Sequence, residues 1–292
     1  MTDSHGTSPS KTTNDQALWR DPGIDFVLVE PSHCGNIGSA ARAIRVMGFG
    51  QLVIVNPRQM NFREKQEAIA LASGATDVLR DAITVETLDV ALARSSLGIA
   101  ISAAGREFSA PPITPRVACA LAKAELSLRN PLPAVSLETQ NSGARVSFVF
   151  GTERTGLSID QAQRCQHLCS IESNPAYGSL NLSQAIQVMA YTMRQSLHET
   201  SALATSMAAT FEQTADALEG VRGYASLGQI EGLMQHLEQT MIAIGYLDPQ
   251  QPKRLMPRLR RLFARARLEQ EEIDILRGIL RKTAALVKSD EH

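Results

Sequence analysis

Val146-Ser147-Phe148-Val149-Phe150-Gly151-Thr152-Glu153-Arg154-Thr155-Gly156-Leu157 is the stretch on which the reading of the fold turns. A short apolar run, too short for a helix, meets two glycines that enclose the charged pair Glu153 and Arg154. The pattern predicts a buried strand that ends in a tight loop. No Lys-Ser/Thr pair closes it, so it is not a phosphate-binding P-loop, and it lacks the Gly-x-Gly-x-x-Gly spacing of a dinucleotide fold. A plain turn after a strand explains it as well as a site does. Ligands of open α/β sheets nevertheless bind beyond the carboxyl ends of strands, where glycine lets backbone amides approach closely.

Working outward, Ile24 to Val29 reads as a first buried strand, residues 37 to 47 as an Ala-rich helix ended by Gly48 and Gly50, and Gln51 to Val55 as a second strand. A strand–helix–strand order within about thirty residues is a βαβ unit and implies a parallel sheet. The alternation continues. Helices are expected over 63 to 72, with Gly74 as the stop, and over 87 to 94 and 114 to 128. Strands are expected over 97 to 101, 146 to 150 and 167 to 171. Pro131, Pro133, Ser142 and Gly143 mark 129 to 144 as an exposed loop. Residues 182 to 197 form an amphipathic helix, 198 to 226 an Ala/Ser/Thr-rich linker, and 227 to 292 a helical C-terminal domain with helices over 227–244, 254–267 and 269–287. The main domain therefore spans 21 to 197, behind a polar tail of residues 1 to 20 that reads as disordered and has no secretory apolar core.

A composition of 43% hydrophobic and 20% charged residues is that of a water-soluble globule, and no apolar run reaches membrane-spanning length. Four cysteines (Cys34, Cys119, Cys165, Cys169) are too few for a disulfide framework in 292 residues and point to a reducing cytoplasm. Cys165 and Cys169 are expected on one helix face as buried thiols, and no metal is expected. The net charge of -1 conceals an asymmetry. Between Ser196 and Pro252 there are seven acids and one base; from Lys253 to Arg267 there are seven bases and no acid. Arg254, Arg258, Arg260, Arg261 and Arg265 are thus candidates for a polyanion, although Leu255, Leu259, Leu262 and Phe263 show that one face of the same helix packs inward.

Two further loops suit the Gly151–Leu157 turn. Asn36-Ile37-Gly38-Ser39-Ala40-Ala41-Arg42 follows the first strand, its small residues allowing close packing and Arg42 offering a fork for phosphate. Asn174-Pro175-Ala176-Tyr177-Gly178-Ser179-Leu180-Asn181-Leu182 precedes the long helix, where Ser179 and Asn181 either cap its first turn or meet a ligand.

These three strings, in this order, resemble motifs 1, 2 and 3 of the SpoU class of RNA 2′-O-ribose methyltransferases. The likeness covers residues 24 to 197. The tail from Glu231-Gly232 to Arg267 is similar to that of the branch acting on cytidine/uridine 32 of tRNA. The resemblance implies an α/β fold of the SPOUT type, a parallel sheet with a C-terminal trefoil knot. It also implies S-adenosylmethionine as cofactor, a homodimer with the site near the subunit interface, and tRNA as substrate. Position by position, Arg42 matches the motif 1 catalytic arginine, and Asn36, Glu153, Ser179 and Asn181 match polar motif residues. Cofactor contacts fall on Ile101, Ser102, Ala103, Gly151, Ile171, Ser179, Leu180 and Asn181. Ile101-Ser102-Ala103-Ala104-Gly105-Arg106 departs from the Thr-Ser-Ala-Arg of many relatives, which leaves Arg106 without an assigned register.

The chemistry expected is attack of a ribose 2′-oxygen on a sulfonium methyl group, the protein supplying position, orientation and proton removal. A guanidinium resists deprotonation, so Arg42 is read as pinning a phosphate and stabilising negative charge on the 2′-oxygen, with Glu153 or water relaying the proton. The alternatives are a methyltransferase for another RNA, such as ribosomal RNA, and an RNA-binding protein that keeps the fold without catalysis.

Overall fold

The computed structural model describes residues 23–103, 111–128, 145–174, 176, 178–199 and 224–289. The expected tail, the 129–144 loop, residues 200–223 of the linker, Ala104 to Arg106, Pro175 and Tyr177 lie outside the described residues.

Six strands form one sheet: β1 (Ile24–Val29), β2 (Gln51–Val55), β3 (Ile83–Val85), β4 (Leu97–Ile101), β5 (Val146–Phe150) and β6 (His167–Cys169), in the order β3-β2-β1-β5-β4-β6. Every pairing is parallel. β1 and β5 are central, and Ile24 faces Val146 while Leu28 faces Phe150. All six residues of β1 and all five of β5 are buried, as a sheet covered on both faces requires.

The period-two alternation of the strands divides the core. Ile24, Phe26, Leu28, Phe148 and Phe150 pack on one face, beneath α1 (Cys34–Val46), α2 (Gln66–Ala72), α3 (Thr76–Arg80), α5 (Pro115–Leu128) and α7 (Leu182–His198). Val27, Val29, Ala100 and Val149 pack on the other, beneath α4 (Leu88–Leu92) and α6 (Ile159–Gln163). Buried Asp25 is paired with Arg145 and with Arg94 (3.3 Å) at the amino edge of the sheet. A buried carboxylate needs such partners. Buried Arg194 ties α7 to the end of α1 by donating to the Met47 carbonyl at 2.6 Å and lying over the Phe49 ring.

Three helices make up the C-terminal region: α8 (Leu227–Ala243), α9 (Leu255–Ala266) and α10 (Gln270–Ser289). They share a small core of Ala225, Leu233, Leu268 and Ile273, while Leu227 reaches into the core of the sheet domain.

Several details differ from expectation. α1 begins at Cys34, three residues before Ile37, and the last strand ends at Cys169 rather than Ile171. β3 is absent from the sequence reading, because three half-buried residues carry no periodicity. α2 stops at Ala72, where Ser73 rather than Gly74 takes the positive φ of 52°. Leu262 is exposed instead of packing inward. Cys165 and Cys169 do not share a helix face: Cys165 follows α6 and Cys169 closes β6. All four cysteines are free and buried, and burial pushes the Cys165 and Cys169 thiols up to about 12.

Candidate active site

Two loops and a helix cap meet at the carboxyl end of the central strands, around one carboxylate. β5 ends at Phe150, and residues 152 to 156 close on themselves: the Thr152 amide donates to the Gly156 carbonyl at 3.2 Å, and the Gly156 amide donates back at 3.0 Å. Gly156 has φ 66°, and a Cβ on Gly151 would fall on the backbone of Gly156 and Leu157. Both glycines are therefore demanded by the turn itself. The turn holds Glu153 against the start of α1.

α1 lacks a cap of its own. His33 stands at the N-cap without a side-chain hydrogen bond, and no acid occupies the first turn. Glu153 supplies both from a distant part of the chain. Its carboxylate accepts from the Ser32 amide (3.0 Å), the Ser32 hydroxyl (2.7 Å), the His33 amide (3.1 Å) and Asn36 Nδ2 (3.0 Å). A negative charge and acceptor oxygens at a helix amino terminus are favourable on both counts. Partial burial pushes the carboxyl pKa up, but the donors from Asn36 and Ser32 outweigh it and bring Glu153 down to about 2.

Asn36 passes the connection on. Its Oδ1 accepts from Asn181 Nδ2 at 3.1 Å. Asn181 is also the N-cap of α7: its Oδ1 accepts from the Ser183 amide at 2.9 Å and the Ser183 hydroxyl at 2.7 Å, and Gln184 completes a capping box. Of the two roles open to Asn181 in the sequence, the structure shows the cap, and the same side chain also reaches Asn36. Asn181, Asn36 and Glu153 form a continuous chain joining the three loops.

Most of the remaining expected residues lie at the ends of neighbouring strands. Ile101 ends β4, Ser102 and Ala103 follow it, Gly151 follows β5, and Ile171 lies just past β6. Since β5, β4 and β6 are neighbours, these residues line one edge of the sheet. The Ser102 amide bonds the Cys169 carbonyl at 3.0 Å, which keeps this edge closed. Ser179 and Leu180 are exposed beside Asn181. Arg42 is not joined to the network. It is exposed on α1, six residues beyond Asn36, and its side chain makes no hydrogen bond or ion pair among the described residues. Ser32 and His33 are missing from the sequence reading, because a helix taken to start at residue 37 hides them in a loop. An uncapped helix start without a first-turn acid is the signal that could have found them.

The basic segment divides. Arg254, Arg258, Arg261 and Arg265 are exposed on or beside α9. The side chains of Arg258, Arg261 and Arg265 have no hydrogen-bonding or ionic partner among the described residues. Arg260 instead forks onto Glu231 of α8, with one bond of 2.9 Å, and Arg267 pairs with buried Glu125 of α5. Among the described residues, no three His, Cys, Asp or Glu side chains cluster as metal ligands do, and no helix is long and apolar enough to cross a membrane.

Comparison with known proteins matches two parts of the chain. Residues 23–191 match the SpoU rRNA Methylase family, and residues 228–292 match the tRNA methyltransferase TrmJ, C-terminal domain. The tRNA (cytidine/uridine-2′-O-)-methyltransferase TrmJ of Klebsiella pneumoniae is 41% identical over 258 residues, covering 88% of this chain and 94% of its own. A crystal structure of a probable methyltransferase from Bordetella pertussis is 41% identical, with a TM-score of 0.53, and covers 62% of this chain and 98% of its own. A crystal structure of TrmJ from Z. mobilis ZM4 is 26% identical with a TM-score of 0.65, over 89% of this chain and 98% of its own. A sheet domain carrying the three joined loops, followed by three helices of the second matched type, places this chain in the SpoU methylase family, with a TrmJ C-terminal domain.

Proposed function

We propose that this chain is a tRNA methyltransferase that moves a methyl group from S-adenosylmethionine to the ribose 2′-hydroxyl of cytidine or uridine at position 32. The observation that carries the reading is the Asn181–Asn36–Glu153 hydrogen-bond chain, which draws the three loops into one constellation. Relatives that act on tRNA at cytidine and uridine match nearly the whole chain, including the helical tail, and this favours tRNA over ribosomal RNA.

The edge formed by Ile101 to Ala103, Gly151, Ile171 and Ser179 to Asn181 offers apolar side chains and backbone groups at three neighbouring strand ends. An adenosyl group takes such contacts. When bound, S-adenosylmethionine supplies an electrophilic methyl group on a sulfonium. The rest falls to the protein. Glu153 is ionised at neutral pH and its oxygens already take four donors, so its task is to fix the start of α1 and the orientation of Asn36. Proton removal from the ribose is left to water. Arg42, exposed and without internal partners, is the group that meets the RNA phosphate and the negative charge growing on the 2′-oxygen.

The trefoil knot expected of the SPOUT type is part of the same proposal. A homodimer is supported by the exposed apolar residues Val46 on α1 and Tyr191 on α7, two helices that pack together. A cytoplasmic location goes with a tRNA substrate and four free thiols.

The test is methylation of unmodified tRNA transcripts by the purified protein, read by nucleoside mass spectrometry. The expected product is 2′-O-methylcytidine or 2′-O-methyluridine at position 32, dependent on S-adenosylmethionine. Methyl groups on the base, or on ribosomal RNA alone, would overturn the reading.

A further inference from the structure

The seam between the helical tail and the sheet domain carries a chain of alternating charges. Arg164, at the end of α6, pairs with Asp89 of α4 and with Asp160 at 3.2 Å, and approaches Glu231 of α8 at 4.0 Å. Glu231 in turn holds Arg260 of α9 through both guanidinium nitrogens. Arg164, Glu231 and Arg260 are about four-fifths shielded, with side-chain exposures of 21%, 17% and 20%. Water therefore screens these pairs less than it would a surface pair. A second tie lies at the amino edge of the sheet. Arg267 pairs with Glu125, donates to the Ser96 carbonyl at 3.5 Å and stacks over Tyr224 at 4.4 Å.

Apolar packing alone does not fix the tail. Leu227 is buried and its amide bonds the Ser95 carbonyl at 2.8 Å, while a Cβ on Gly228 would press on the Ala93 carbonyl at 2.9 Å. These contacts make a pivot. Beside it the seam opens into a cleft of about 270 Å³ between Val90 and Ala93 on one side and Gly232 and Gln235 on the other. α9 itself is held by Phe263 against the small helical core, by Pro257 and Ala264 beside α6, and by the charged pairs, which alone among these contacts fix a direction through two-pronged geometry.

That orientation bears on the site. Pro257, Arg260 and Arg261 line a groove with Ala162 and Gln163 of α6, so α9 lies along α6. Arg267, just past the last turn, reaches the amino edge at Ser96. α6 follows the Gly151–Leu157 turn in the chain, so α9 packs against the element that leads away from the Glu153 loop.

We propose that the Asp89–Arg164–Glu231–Arg260 ion chain, with the Arg267–Glu125 pair, is a clamp that aims the exposed arginines of α9 at tRNA entering the methyl-transfer site. Arg260 and Arg267 are then positioning residues within the protein, and Arg258, Arg261 and Arg265 are the RNA contacts. This rests on the tRNA reading given above.

The two roles open to Arg260 predict opposite signs. Glu231→Gln releases Arg260 and removes a neighbouring negative charge. If Arg260 bound RNA, the variant would bind tRNA more tightly. If Glu231 holds α9 in place, binding weakens. The clamp predicts that the tRNA KM rises about fivefold or more while kcat and the cofactor Kd stay within about twofold. Arg260→Gln should behave alike, and the double variant should be no worse than either single, as for two residues acting through one contact. Asp89→Asn, at the exposed end of the chain, should shift KM in the same direction by less, and it covers the case in which Glu231→Gln fails to fold. An unchanged or lowered tRNA KM in Glu231→Gln, or independent multiplying effects in the double variant, overturns the clamp. Arg258→Gln with Arg261→Gln is the companion measurement. If it leaves tRNA affinity unaltered, α9 is no RNA surface and the proposal falls. If it weakens tRNA binding while Glu231→Gln does not, the tRNA reading stands and the clamp alone is refuted.

Discussion

At Glu153, one carboxylate serves as a helix cap, a loop anchor and an aligner of Asn36. Its depressed pKa gives these roles a pH signature. A carboxyl group lowered from 4.5 to about 2 on folding stabilises the native state above the unfolded value, and the contribution is lost as pH falls from about 4.5 toward 2. Thermal melts at decreasing pH should show the wild type losing stability across that window. Glu153→Gln should start lower at neutral pH and lose less. The same variant is expected to abolish most methyl transfer without removing Arg42, because the neutral amide cannot hold two backbone amides, a hydroxyl and Asn36 together. For Arg42, replacement by lysine keeps the charge but removes the planar fork. Arg42→Lys should cost about 10²-fold in kcat in the same mass-spectrometric assay, the loss typical of removing a charge-stabilising donor. Near wild-type turnover would assign the charge stabilisation to another group.

Among the elements, α1 is the one whose placement decides the site, and its glycines set that placement. A Cβ on Gly38 would fall on the carbonyl oxygen of Ala68 in α2. Backbone cannot yield as a side chain can, so Gly38→Ala should destabilise the fold by about 1–3 kcal/mol, measured by denaturant titration. It should also raise the cofactor Kd by shifting the start of α1. The strands of this framework could be read from their apolar runs: β1, β2, β4 and β5 fall where Ile24–Val29, Gln51–Val55, Leu97–Ile101 and Val146–Phe150 predict them. β3, α3 and α6 were not legible. β3 and α6 owe their form to a neighbouring strand and to the Ser158–Gln161 capping box, not to periodicity. At the site, the motif strings pointed to Asn36, Glu153 and Asn181. The partners Ser32 and His33 depended on a contact across 120 positions that no local pattern contains. The internal use of Arg260 was equally hidden, since Glu231 lies in an otherwise acidic stretch that reads as solvated.

For the whole molecule, the formal charge of -1 says little about partners, because the seven cations from Lys253 to Arg267 have no acid among them. If α9 meets the phosphate backbone, tRNA affinity should fall steeply with salt. Arg258→Glu with Arg261→Glu should both weaken binding and flatten the log Kd against log[salt] slope, by about one unit for each phosphate no longer neutralised. Filter binding over a salt series reads both quantities, and an unchanged slope would remove these arginines from the interface. The order of the strands has a different consequence, one of timing. β1 is synthesised first, yet the central neighbour on its far side, β5, follows about 120 residues later. At ribosomal speeds of roughly 5–20 residues per second, the edge Ile24 to Val29 waits roughly 6–24 s with its amides unclaimed. An apolar edge left open that long is a template for other nascent chains. Efficient production of this enzyme therefore depends on chaperone cover during translation, and the soluble yield from an overexpressing cell should rise when chaperones that bind nascent chains are produced alongside it.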